Sequence, residues 1–95
     1  MAGIGDDLAR VEAENGDLYA KASEEVGKIQ GETNEAVGQI WEMAFLLGGQ
    51  AKKNARIKAG EVWKSGRKEW SQVWQDARSE AIRRYQSLGK TFDEA

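Results

Sequence analysis

The chain has 95 residues, with 14 Lys and Arg against 16 Asp and Glu, a net charge of −2 and a mean hydropathy of −0.70. That allows one small domain, too polar for a dense globule yet too rich in aliphatics and aromatics for plain disorder. Cys, His and Pro are absent while Gly numbers 11, which excludes disulfide frameworks, thiolate nucleophiles, zinc ribbons and the usual general base, and leaves a very long helix permitted though weakened by glycine.

The N-terminus, Met1-Ala2-Gly3-Ile4-Gly5-Asp6-Asp7, has neither a basic nor an apolar signal region, and Ala2 stands where myristoylation needs Gly. The longest apolar stretch, Ile40–Leu47, is broken by Glu42 and is far short of the roughly 20 residues a membrane span takes. The expectation is a cytoplasmic protein, or one exported without a conventional signal peptide.

An eleven-residue repeat organises the rest. Gly5, Gly16, Gly27, Gly38, Gly49 and Gly60 are each eleven apart, and Ser71 and Ile82 continue the phase. Eleven residues make three turns at about 3.67 per turn, close to the relaxed α-helix. One face then carries Leu18, Ala22, Val26, Ile29, Thr33, Val37, Ile40, Ala44, Gly48, Ala51, Ala55, Ala59, Val62, Gly66, Trp70, Val73, Ala77 and Ala81. The fold class is all-α: an amphipathic repeat helix, taken as a single helical unit over 1–95.

In chain order, the spacing predicts an acidic helix over about 6–47, with Asp6 or Asp7 as N-cap. A turn at 48–50, around Gly48-Gly49, follows. A basic helix over about 51–88 comes next, closed by Gly89, with 89–95 as a tail whose Phe92 folds back on the last turn. Within the first helix, Gly27-Lys28-Ile29-Gln30-Gly31 has a small-xxx-small spacing that lets another backbone approach closely.

Hairpin and continuous rod both fit. The stripe stays in phase through Gly48-Gly49, which a loop does not require and a rod does. Against that, residues 1–48 hold ten acids and three bases, a net −7, and residues 49–95 hold eleven bases and six acids, a net +5. Such halves attract when laid antiparallel, and the helix dipole cannot explain charges forty residues from an end. The balance leans to an antiparallel hairpin. In either geometry the apolar face outruns what one chain covers, so an oligomer is expected.

Tyr19, Trp41, Trp63, Trp74 and Tyr85 occupy one repeat column, and Trp70 joins the stripe. Core or interface packing is the plainest use of such rings. They also suit the lipid headgroup level, since in residues 62–74 they alternate with cations. Stacking on nucleic acid is disfavoured by the overall acidity and by Glu61, Glu69 and Asp76. Interface candidates are Tyr19, Val26, Ile29, Val37, Ile40, Trp41, Phe45, Val62, Trp63, Trp70, Val73, Trp74 and Tyr85. Gly27, Gly31, Gly38 and Gly60 are candidates for close helix packing.

Catalytic, cofactor-binding and metal-ligating residues are not assigned. Adjacent carboxylates such as Asp6-Asp7 and Glu24-Glu25 point about 100° apart on a helix and form no acid–base pair. The glycines make neither a P-loop nor a dinucleotide fingerprint, and the acidic start lacks calcium-loop spacing. The expectation is a non-enzymatic structural or interaction protein. Its partner would be itself, as homo-oligomer or filament, or a partner helix, with an anionic membrane surface as the alternative.

Residues 55–65, Ala-Arg-Ile-Lys-Ala-Gly-Glu-Val-Trp-Lys-Ser, followed by Ala77-Arg78-Ser79-Glu80-Ala81, resemble the eleven-residue repeats of group 3 late embryogenesis abundant proteins. The likeness is clearest over 49–85 and keeps only the frame over 16–48. It implies a stress-protective chain that becomes helical on drying, crowding or membranes. Four Trp, the apolar 40–47 block and the split charge depart from that family. By size and layout alone, the chain is also similar to the helical-hairpin substrates of type VII secretion, which implies a secreted hairpin partner. Their Trp-x-Gly turn is replaced here by Trp41-Glu42-Met43.

Overall fold

Two helices account for nearly all of the chain. The computed structural model describes residues 3–94, with side chains at 3 and 5–90. Helix α1 runs Ile4–Leu47 and helix α2 runs Gln50–Glu94. They lie side by side as an antiparallel hairpin whose Cα atoms span 72 × 17 × 8 Å. A 44-residue helix is about 66 Å long at 1.5 Å per residue, so the arms are full-length and paired throughout. The hairpin, and not the continuous rod, is the form this sequence takes.

The reversal is made by Gly48 (φ 65, ψ −176) and Gly49 (φ 56), both in backbone regions that L side chains avoid. Gly48 N–H donates to the Ala44 carbonyl at 2.8 Å, ending α1. Ala51 and Lys52 N–H donate to the Gly48 and Gly49 carbonyls at 3.2 Å each, starting α2. No polar cap side chain is needed beside Gly49, because glycine itself serves there.

Both outer helix ends differ from the sequence expectation. Helix α1 begins at Ile4 with Gly3 as N-cap, and Asp6 sits inside the first turn, where its carboxylate accepts from Gly3 N–H at 3.4 Å. An acid there suits the positive end of the helix dipole. Helix α2 does not stop at Leu88-Gly89 but continues through Gly89 to Glu94. One glycine removes about 1 kcal/mol of helix propensity and does not by itself end a helix. The expected fold-back of Phe92 lies outside the described side chains.

The predicted stripe is the seam between the helices. Val11, Ala22, Val26, Ala44, Ala55, Ala59, Ala77 and Ala81 are buried, and Leu18, Ile29, Val37, Ile40, Val62, Trp70 and Val73 are half-buried beside them. Two contacts fix its register. Arg84 Nη1 donates to Asn15 Oδ1 at 3.3 Å, and Thr33 packs against the bare backbone of Gly66. In both pairs the residue numbers add to 99, and the same sum brings Ala22 level with Ala77, Val26 with Val73, Val37 with Val62, and Ala44 with Ala55. Since 99 is a multiple of eleven, the repeat phase and the pairing register are one pattern. Some pairs match a large side chain with a small one, Leu18 with Ala81, Ile40 with Ala59 and Thr33 with Gly66, and others pair Ala with Ala or Val with Val.

Candidate interaction faces

The hairpin is a slab with two unlike broad faces. Tyr19 of α1 and Trp74 of α2 meet on one of them, ring centroids 6.5 Å apart and planes tilted by 32°. A step of eleven residues leaves a residue on the same side of its helix. Leu8 and Trp41 therefore lie on the Tyr19 side of α1, and Trp63 and Tyr85 on the Trp74 side of α2. The same register places Leu8 level with Tyr85, Gln30 with Trp63, and Trp41 with Lys52, in rungs about 16 Å apart. These rings and Leu8 are each 36–45% exposed. Trp63 is further fixed edge-on against Trp70, with planes at 87° and centroids at 6.3 Å, a favourable aromatic geometry.

Arg56, Arg67 and Arg78 follow Lys52, Trp63 and Trp74 by four residues each, so they border the aromatic face on its α2 side. On the α1 side the corresponding positions are Glu12, Ser23, Asn34 and Phe45. The reverse face is polar along most of its length and apolar at the turn end, where its groove is lined by Ile40, Met43, Leu47, Ala51 and Ile57. Its shallow grooves beside the seam are lined by Lys21, Glu25 and Asp76 at one level and by Glu32, Ser65 and Glu69 at another.

The thirteen interface candidates thus divide into two groups. Val26, Ile29, Val37, Ile40, Val62, Trp70 and Val73 are taken up by the seam within the chain. Tyr19, Trp41, Trp63, Trp74 and Tyr85 remain outside it on the aromatic face, and Phe45 projects near the turn. The close-packing glycines behave differently from the expectation inside the hairpin. Gly27, Gly31, Gly38 and Gly60 face outward, and a Cβ added to any of them would meet nothing within 4 Å. The close approach between the helices falls at Gly66, where an added Cβ would lie 2.9 Å from Thr33 Cγ2 and 3.2 Å from its Cβ.

Sequence reasoning missed Asn15 and Arg84 because both are polar, so they were left off an apolar stripe that they extend at each end. Asn15 is buried, and its Nδ2 has no partner. Arg84 also reaches Glu80 at 3.6 Å, and Glu80 pairs with Arg83 at 2.9 Å. Among the described residues the ion pairs, including Arg10 with Asp7 at 3.5 Å, join residues of one helix. The opposite charges of the two arms therefore act through their field and not through contacts across the seam. Among the described residues no helix is long and apolar enough to cross a membrane. No protein-family model, curated protein or solved structure matches the chain.

Proposed function

We propose that the chain is a non-enzymatic interaction protein that self-associates through its aromatic face. The observation that carries this reading is the row of half-exposed rings on one side of the slab, Tyr19, Trp41, Trp63, Trp74 and Tyr85, a side-chain type that the reverse face does not repeat among the described residues. Rings left in this state gain most from a partner surface that covers them, because Trp and Tyr bury large areas at little cost in conformational freedom. A second hairpin laid on this face completes a four-helix arrangement and supplies the layer that a two-helix slab lacks.

Charge selects the orientation. Helix α1 carries a net −7 and α2 a net +5, and among the described residues the ion pairs stay within one helix. A two-fold axis along the hairpin's length lays α1 of one copy over α2 of the other, acidic over basic. An axis across the length would lay α1 over α1, which like charges oppose. The favoured arrangement places both turns at the same end.

Sedimentation equilibrium on the full chain tests the reading. The expected result is a dimer that becomes a monomer of unchanged helicity in Trp63→Ser/Trp74→Ser. A wild-type chain that stays monomeric at about 100 μM, a concentration at which even weak specific contacts with micromolar Kd are saturated, overturns it. Because the chain has no Cys, a Gln50→Cys variant reports orientation: rapid disulfide formation within the dimer is expected of adjacent turns.

A further inference from the structure

The turn end of the hairpin carries a second group of exposed apolar side chains, adjoining the aromatic face at Phe45. Phe45 and Leu46 are 79% and 80% exposed, and Leu47, Met43 and Ile57 are 71%, 63% and 63% exposed. No large hydrophobic residue elsewhere among the described residues is as exposed as these. They sit within a segment, 43–58, that holds Lys52, Lys53, Arg56 and Lys58 and no acid. Lys52 Nζ lies 5.9 Å from the centre of the Phe45 ring, so cation and apolar group are interleaved at the tip itself.

We propose that this tip docks end-on into the interfacial layer of an anionic lipid membrane. Three features favour lipid over a protein groove. The apolar groups are spread around the end of the hairpin, with Met43, Leu47 and Ile57 along a groove beside Ile40 and Ala44 and with Phe45 and Leu46 outside it, which suits a deformable surface more than a fixed groove. Met43 and Ile57 stand about 7–12 Å from the turn along the helix axis, matching the depth of roughly 5–10 Å at which interfacial segments rest. Three backbone donors at the turn are already engaged, with Gly48, Ala51 and Lys52 N–H bonded to carbonyls within the tip, which lowers the penalty for leaving water.

Electrostatics fits the same pose. Lys52 and Lys53 are long enough to reach back to headgroup phosphates while the apolar groups enter. Glu42 and Glu61 flank the segment, and the next acid along α1, Glu35, is about 20 Å from the turn, beyond the roughly 8 Å screening length at physiological salt. The acidic arm therefore does not oppose end-on contact, whereas it would oppose a side-on one.

The test uses the full chain with sucrose-loaded vesicles of phosphatidylcholine alone or with about 30% phosphatidylserine, a composition that supplies the negative surface potential lysines sense. Co-sedimentation with the anionic vesicles is expected to exceed that with neutral ones at least tenfold. Phe45→Asn/Leu46→Asn is expected to abolish it, and Lys52→Gln/Lys53→Gln to weaken it roughly 20–30-fold, both with unchanged helicity. An environment-sensitive dye on Gln50→Cys is expected to shift to shorter wavelength on binding, and the same dye on Gln86→Cys, at the opposite end, is not. Shifts at both positions would mean side-on binding and overturn the proposal. So would equal binding to neutral vesicles, absence of binding to either, or capture of a protein partner that the tip variants lose while vesicle binding is nil. The aromatic-face reading is measured without lipid, by mass, so either can fail while the other stands.

Discussion

Thr33 fills the notch that Gly66 leaves in α2, with its Cγ2 2.9 Å from where a Cβ on residue 66 would sit and its hydroxyl donating to the Ile29 carbonyl at 2.7 Å. Both ends of this β-branched side chain are thus committed, and it cannot swing aside at small cost. Gly66→Ala gains the same helix propensity as any Gly→Ala change but collides with Thr33. Gly27→Ala, Gly38→Ala and Gly60→Ala collide with nothing. The outward changes are expected to stabilise by about 0.8–1 kcal/mol each, and Gly66→Ala to stand about 1–3 kcal/mol below them. Thermal unfolding checks this at roughly 4–8 °C per kcal/mol. Adding Thr33→Ala to Gly66→Ala recreates the Ala–Ala pairing of residues 22 with 77 and 44 with 55, and stability is expected to return to the wild-type level or above.

The turn is held by conformation and not by sequence phase. Ala at 48 and 49 would have to adopt φ near +60°, a strain of about 1–3 kcal/mol per residue, yet would be welcome in a straight helix. The stripe runs unbroken through both positions. Gly48→Ala/Gly49→Ala is therefore expected to open the arms into one rod, with α1 of one rod paired to α2 of another at every contact the hairpin makes. Small-angle scattering reads the change, from a longest dimension near the present 72 Å to about 140 Å. A variant that keeps the short dimension would show that other forces hold the bend.

Asn15 is the polar residue whose removal separates stability from register. Its Nδ2 is buried without a partner, an arrangement that costs about 1–3 kcal/mol. Asn15→Val is expected to raise stability in denaturant titration, because Arg84 keeps Glu80 as a partner. The accompanying loss is specificity. A slip of eleven residues leaves the repeat pattern matched but sets Asn15 against Val73 and Thr33 against Ala55. With Asn15→Val, and more so with Thr33→Ala/Gly66→Ala added, spin labels on the two arms are expected to report a second distance population.

Charge reversal tests how two copies lie. Arg67→Glu/Arg78→Glu places acids beneath the acidic arm of the second hairpin and is expected to weaken self-association roughly tenfold or more. Adding Ser23→Arg/Asn34→Arg, at the corresponding positions of α1, is expected to restore it. Rescue by the second pair distinguishes facing charges from a general effect of net charge, and the wild-type association is expected to weaken as salt rises.

The seam was legible because its period of eleven matches helix geometry, and the chain's halves carry opposite charge, which identified the reversal near Gly48-Gly49. The charges gave the right bend without touching across the seam; the packing of Ala on Ala holds it. The column Tyr19–Trp41–Trp63–Trp74–Tyr85 was also legible as a unit, but not its separation from the seam residues, since a helical wheel cannot tell the covered side of a stripe from its flank until the partner's position is known. Asn15 with Arg84 escaped notice because their meaning depends on a residue 69 positions away. Gly66 was indistinguishable from Gly27 or Gly60 in sequence, as only the neighbour across the seam tells a required glycine from a tolerated one. The tip's exposure followed from the same limit: residues 43–47 look like core in a linear reading, yet only Ala44 turns into the seam against Ala55, and the large side chains around it stay outside.

Because paired residue numbers share one constant sum and every eleven-residue block contributes the same three contact positions, this molecule has a natural unit of growth. One block inserted before the bend and one after it would lengthen the hairpin by about 16 Å while every existing pair keeps its mate. A block inserted on one side alone would leave an overhang of that size at the open end. Arm length is in that sense quantised, and the protein's reach is set by counting repeats.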